Sequence, residues 1–172
     1  MKNFIIRRAV WEDIDNIMKI KKQAHDIYVD VRPDVYRDSE TLYTENFLES
    51  FFENDDKVIF LGLIDDEIVA FSFLECMNVS MPMMVKRKFA YVHDFAVLER
   101  FRRQGIASRL MAYVEEYAIE RGASRIELAV HLFSEDAINM YEKIGFSPRA
   151  MRMEKDLDIK QVDEQGKSEE DI

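Results

Sequence analysis

The sequence is poor in cysteine, proline and glycine, with one, three and five of them in 172 residues. Cys76 stands alone inside an apolar stretch, so there is no disulfide framework and no paired-thiol motif; a buried, inert thiol is the simpler reading than a nucleophile. So few prolines and glycines leave no linker on which to divide the chain, and no repeat is found at any period. No apolar run approaches the roughly 18 residues of a membrane span. Arg7 and Arg8 follow Met1 too soon for a secretory signal, so the expectation is a cytoplasmic protein without a membrane partner. Positive charge is also missing. The formal net charge is −10, against the clustered basic face expected of a nucleic-acid binder, and none is expected here.

What is present is core material. Hydrophobic residues make up 48% of the chain and twelve are Phe, enough to offset chain entropy in one domain without staples. The charge is uneven. Residues 156–172 carry seven acids against two bases and almost no apolar residues, so we expect one folded domain over 1–156 and an acidic, disordered tail over 157–172. Between Leu98 and Arg109, four arginines meet only Glu99, a place where an anion can be received.

Strand and helix patterns alternate. Phe4–Val10 reads as a strand, and a helix opening at Glu12 and Asp13 carries Ile14, Ile17, Met18, Ala24 and Tyr28 at near-helical spacing until Pro33 breaks it. Ser39 is the expected N-cap of a second helix containing Leu42, Phe47, Phe51 and Phe52. Val58–Ile64 and Ile68–Met77, separated by acidic residues, form the pattern of an antiparallel hairpin. Phe89–Val97 reads as a further strand, and Ile106–Arg121 as an amphipathic helix ended by Gly122. Arg125–His131 is a short strand, Ser134 an N-cap for a last helix closed by Gly145, and Met151–Asp156 a final strand. The sum is a three-layer α/β fold with a mixed sheet.

The informative stretch runs from Phe95, Ala96 and Val97 through Arg102, Arg103, Gln104 and Gly105 to Ile106, Ala107 and Ser108. A strand ends, an arginine-rich turn follows and a long helix begins. The first N–H groups of that helix lack internal partners and sit at the positive end of its dipole, where they can hold phosphate oxygens. Any helix start shares part of this geometry, so an ordinary start with solvated arginines is the alternative. With Gly105 as its only glycine, the turn is neither a Walker A loop nor a dinucleotide fingerprint.

This run resembles the acetyl-coenzyme A signature of the GNAT superfamily of N-acetyltransferases, with Arg102, Gly105 and Ala107 at the motif positions. A second block, Ala137 to Phe146 with Tyr141, Gly145 and Phe146, is similar to the family's last helix and its ending. The resemblance covers everything except the tail. It implies a GNAT-like α/β/α fold around a mostly antiparallel sheet, with acetyl-coenzyme A as cosubstrate. It also implies that Phe95, Ala96 and Val97 lie along the pantetheine arm and that the amides of Arg103 to Ser108 cradle the diphosphate, with the Arg102 and Arg103 side chains adding to them. Ser134 stands where the family often has a cofactor-touching Asn. A homodimer is likewise implied by the family alone.

Moving an acetyl group from a thioester to an amine requires a neutral amine, a polarised carbonyl and a proton for the thiolate. Neutralising a Lys-like amine at pH 7 costs roughly 4.6 kcal/mol, an α-amine only about 1.4. Strict alternation along the strand places Tyr91, His93, Phe95 and Val97 on one face. His93 is then next to the cofactor arm, suited to pass on an ammonium proton, or else a structural histidine. Asp94 is the other candidate base, on a side expected to face helices, where capping or pairing with an arginine is the simpler role. Tyr141 matches the family tyrosine that protonates the leaving thiolate, or else is a packing tyrosine on an amphipathic helix. His25 and His131 are too far off in sequence to form a metal motif with His93, and no metal is expected. Tyr28, Tyr36 and the Met81, Met83, Met84 cluster are candidates for the acceptor mouth or for plain packing, and Lys86-Arg87-Lys88 for an acidic group or a solvated loop.

The reading is therefore acetyl transfer to a primary amine of a small molecule or peptide, by direct attack in a ternary complex. Its rival is an idle coenzyme A binding module.

Overall fold

In the computed structural model residues 3–157 are described. Strand β1 (Phe4–Arg8) leads through one 3-10 turn at Trp11–Asp13 into helix α1 (Ile14–Val31), followed by α2 (Glu45–Glu53). Strands β2 (Lys57–Ile64), β3 (Glu67–Val79) and β4 (Arg87–Val97) come next, then α3 (Ile106–Glu120), β5 (Ile126–Leu128) and α4 (Glu135–Lys143). The five strands form one sheet in chain order, antiparallel from β1 to β4, with β5 parallel to β4. Asp65 and Asp66 both adopt positive φ, 49° and 66°, the backbone that a tight turn matched to strand twist requires.

The sheet separates two cores. On one side Phe60, Leu74, Ala90 and Val92 pack against Leu110, Met111 and Val114 of α3. On the other Ile59, Leu61, Phe71 and Phe73 meet Ile17 and Ile20 of α1 and Leu48 and Phe51 of α2. Burial of each such side chain contributes about 1.5–3 kcal/mol, so the central strands are buried on both faces and the helices on one. At the start of α1, Asp13 takes a bidentate pair from Arg7 at 2.6 and 2.8 Å and the Val10 N–H at 2.9 Å. No helix among the described residues is long and apolar enough to cross a membrane.

Three expectations are corrected. Thr44, not Ser39, caps α2, its side chain accepting from the Phe47 N–H, whereas Ser39 closes a local turn on Thr41. Ser134 occupies the N-cap position of α4, but its hydroxyl makes no capping bond. The final strand over Met151–Asp156 does not form: residues 147–157 hold no regular element, and Arg149–Glu127 and Arg32–Glu154 ion pairs tie the segment down instead. Its Met151 and Met153 are 71% and 85% exposed, so it has no apolar face to bury against a sheet. The expected tail over 157–172 lies, apart from Leu157, outside the described residues.

Candidate functional site

Strands β4 and β5 pair only from Ala90 to Val92 and then separate, while β3 stays paired with β4 to Val97. The outer edge of β4 past Val92 therefore opens onto a cleft. Leu98 donates its N–H to Val69 O at 2.8 Å, which sets the phase of the antiparallel ladder. Ala96 turns its amide and carbonyl toward β3; Phe95 and Val97 turn theirs outward. Side chains meet two of these outward groups. The Phe95 N–H donates to Asp94 Oδ1 at 2.9 Å, and Val97 O accepts from Arg102 Nε at 3.1 Å.

A bulge interrupts β4. Phe73 is opposite Asp94 and Leu74 opposite Val92, so His93 is the extra residue. Before it, Ala90 and Val92 face α3; after it, Phe95 and Val97 do, and Ala96 faces α1 and α2. Strict alternation fails here, and His93 and Asp94 both point to the α1 and α2 side. His93 packs edge-on against Phe47 and Phe51 and donates through Nε2 to Glu75 Oε2 at 2.7 Å. Asp94 Oδ2 accepts from the Tyr43 hydroxyl and pairs with the Lys21 ammonium, a lysine where an arginine was the expected partner. Burial, then the Asp94 charge, hold the Tyr43 hydroxyl far above the usual phenol range.

Downstream lies the arginine-rich turn. Arg103 and Gly105 take positive φ of 62° and 77°, and the first helical bond is Arg109 N–H to Gly105 O at 3.1 Å. The amides of residues 103–108 meet no acceptor among the described residues, and Arg103, Gln104, Gly105 and Ser108 are exposed. These free donors fit a diphosphate. The side chains do less than expected: Arg102 is turned back to Val97, Arg103 pairs with Asp136 at 3.2 Å, and Gln104 reaches Arg100 O.

The cleft between the separated strands has a volume of about 220 Å³ and is lined by Lys21, Tyr28, His93, Asp94, Phe95, His131 and Tyr141, among others. Tyr141, on α4, sets its ring edge-on to Phe95 at 6.4 Å. Burial pushes its hydroxyl well above the usual phenol range, with smaller contributions from Tyr28 and Asp94. Tyr28 stacks on Tyr36, whose hydroxyl meets His131 Nε2 at 2.7 Å, so the end of α1 and the β5–α4 loop form one aromatic wall. Met81, Met83 and Met84 do not reach it; they lie in the β3–β4 loop, at the opposite end of β4 from the turn. Arg87 and Lys88 pair there with Glu127 and Asp56. Cys76 is buried, and burial pushes its thiol up. No group of His, Cys, Asp or Glu among the described residues is gathered to hold a metal.

A splayed strand pair, free amides at the following helix start and a tyrosine facing the gap coincide with a family match. Residues 21–146 match the acetyltransferase (GNAT) family. The chain belongs to this family. An uncharacterised N-acetyltransferase of Methanocaldococcus jannaschii is 25% identical over 149 residues, covering 87% of the chain and 63% of that relative, so the chain spans under two thirds of its length. An N-alpha-acetyltransferase of Saccharolobus solfataricus is 27% identical over 155 residues, covering 84% of the chain and 81% of the relative. The crystal structure of a mutant Bacillus halodurans protein superposes with a TM-score of 0.84 at 25% identity, covering 89% of this chain and 99% of that one.

For a GNAT chain, the sequence motifs locate the turn and Tyr141 but miss Lys21, Tyr43 and Glu75. Each lies far along the chain from the residue it holds, and no spacing marks it.

Proposed function

We propose that this protein transfers an acetyl group from acetyl-coenzyme A to a primary amine of a small molecule or peptide, by direct attack within a ternary complex. The observation that carries this reading is the continuity of one edge: the outward backbone of Phe95 and Val97 runs into the unpartnered amides of residues 103–108. An extended arm can pair with the first while its diphosphate rests on the second. Acetyl-coenzyme A supplies the activated acyl group.

The chain's own residues supply the rest. His93, held through Nε2 by Glu75, lines the cleft and takes the ammonium proton. Tyr141 keeps its proton because it is buried, and gives it to the departing thiolate as the N–C bond forms and the C–S bond breaks. Ser134, at the head of α4, is the residue of that helix start assigned to a cofactor contact. The relative named N-alpha-acetyltransferase supports α-amines among the acceptors, and they are also the easier ones to neutralise at pH 7.

The test is release of free thiol from acetyl-coenzyme A in the presence of amino acids, peptide N-termini, polyamines and aminoglycosides. Thiol release that depends on one amine class, with the acetylated product detected by mass, is expected. Binding of the thioester with no release across the panel would overturn the transfer reading in favour of a coenzyme A binding module.

A further inference from the structure

The Phe95 N–H faces the cleft, yet it already has an acceptor. It donates to Asp94 Oδ1 at 2.9 Å, while Asp94 Oδ2 is held by Tyr43 and Lys21. The Asp94 and Lys21 side chains are only 15% and 14% exposed. In such surroundings a hydrogen bond to a carboxylate is stronger than one to a neutral carbonyl, and water does not freely replace it. A strand-like ligand pairing with Phe95 must therefore displace a carboxylate oxygen.

We propose that Asp94 masks the Phe95 amide, and that cofactor binding unmasks it and presents a carboxylate oxygen to the acceptor side of the cleft. The inference rests on the reading of this cleft as a coenzyme A thioester site. Lys21, from α1, and Tyr43, from the loop before α2, keep Oδ2, so the carboxylate remains anchored when the amide leaves. Oδ1 then has lost its donor in a place poor in water, and an incoming primary ammonium replaces it. Asp94 is thus a positioning residue that links the two substrates: cofactor binding raises the affinity for the amine, and by reciprocity the amine tightens the cofactor.

The test is calorimetric titration of coenzyme A into the wild-type protein, Asp94→Ala, Asp94→Asn and the double variant Lys21→Met/Asp94→Ala. The double variant leaves no orphan cation and no change in net charge, which separates unmasking from the mere removal of an anion near an anionic ligand. Asp94→Ala and the double variant are expected to bind about three- to tenfold tighter than wild type, since the amide no longer leaves an ionised acceptor. Asp94→Asn, whose carbonyl can still accept from Phe95, is expected to fall between. A purely structural role for Asp94 would weaken binding instead. Equal or weaker binding by a double variant that retains the wild-type circular dichroism and a cooperative melt overturns the masking. If the wild-type protein takes up no coenzyme A, the thioester-site reading itself fails, and masking falls with it.

Discussion

Arg102 reaches back five residues to Val97, its Nε donating to the strand-end carbonyl at 3.1 Å. The first arginine of the turn therefore braces the junction between β4 and the amide nest. Arg102→Ala is expected to weaken coenzyme A binding about tenfold, the loss of one charge-assisted hydrogen bond. Arg103→Ala should cost no more than about threefold, because its pair with Asp136 is exposed at 78% and 91%. Titration calorimetry on both variants checks the ranking; a larger loss for Arg103 would contradict the bracing role.

Gly105 holds φ at +77°, and a Cβ built there meets nothing within 4 Å. Gly105→Ala thus carries a backbone penalty of about 1 kcal/mol and no clash. Urea unfolding should show that loss. Coenzyme A affinity should fall further, since the same backbone aims the donors, and an unchanged affinity would detach this turn from the ligand.

Tyr141→Phe should lower turnover about 100-fold while leaving coenzyme A affinity within about twofold, the signature of a lost proton donor. Burial raises the Tyr141 hydroxyl above its usual value, so its proton is retained through the alkaline range in which a free phenol ionises. The rate profile is therefore expected to show no fall assignable to this group below about pH 10. Steady-state kinetics over pH 6–10 test both statements.

Hydrogen bonds from Arg7 hold the Asp13 carboxyl below the usual carboxylate range, with the Val10 amide helping and burial opposing. A lowered pKa contributes stability that is complete above the unfolded value of about 3.9 and is lost as pH falls through the lowered folded value. Asp13→Ala should destabilise the protein by about 2 kcal/mol at pH 7. The gap to wild type in thermal melts should narrow toward pH 3, and a gap independent of pH would rule out the ionised pair as its source.

The helices and the hairpin could be read from the sequence because local rules decide them. Ile106, Leu110, Met111 and Val114 recur at helical spacing, and Gly122 takes a positive φ at the end of α3. The arginine-rich turn is legible for the same reason: the donors it leaves free are consecutive backbone groups. Ser39 does not cap α2 because Thr44 offers the same cap chemistry five residues later, where Phe47, Leu48 and Phe51 reach the core. The orientation of His93 is not legible in the sequence because an extra residue in a strand leaves no compositional mark. The partners Lys21, Tyr43 and Glu75 were invisible because tertiary packing alone brings them to His93 and Asp94.

That extra residue also sets how the protein tolerates change. Exchanging the side chain at position 93 perturbs one lining group, and deleting the position would close the bulge, leaving Val92 opposite Leu74 and Asp94 opposite Phe73 in an uninterrupted ladder. Phe95 and Val97 would still face α3, Ala96 would still face α1 and α2, and the inward and outward amides would keep their places. Both halves of the interior would keep their residues, and only the lining group and the Glu75 pair of His93 would be lost. The bulge thus holds one residue in reserve: deletion scanning across 90–97 should tolerate the loss of position 93 better than that of 95 or 96, either of which forces a neighbouring residue onto the wrong face of the sheet.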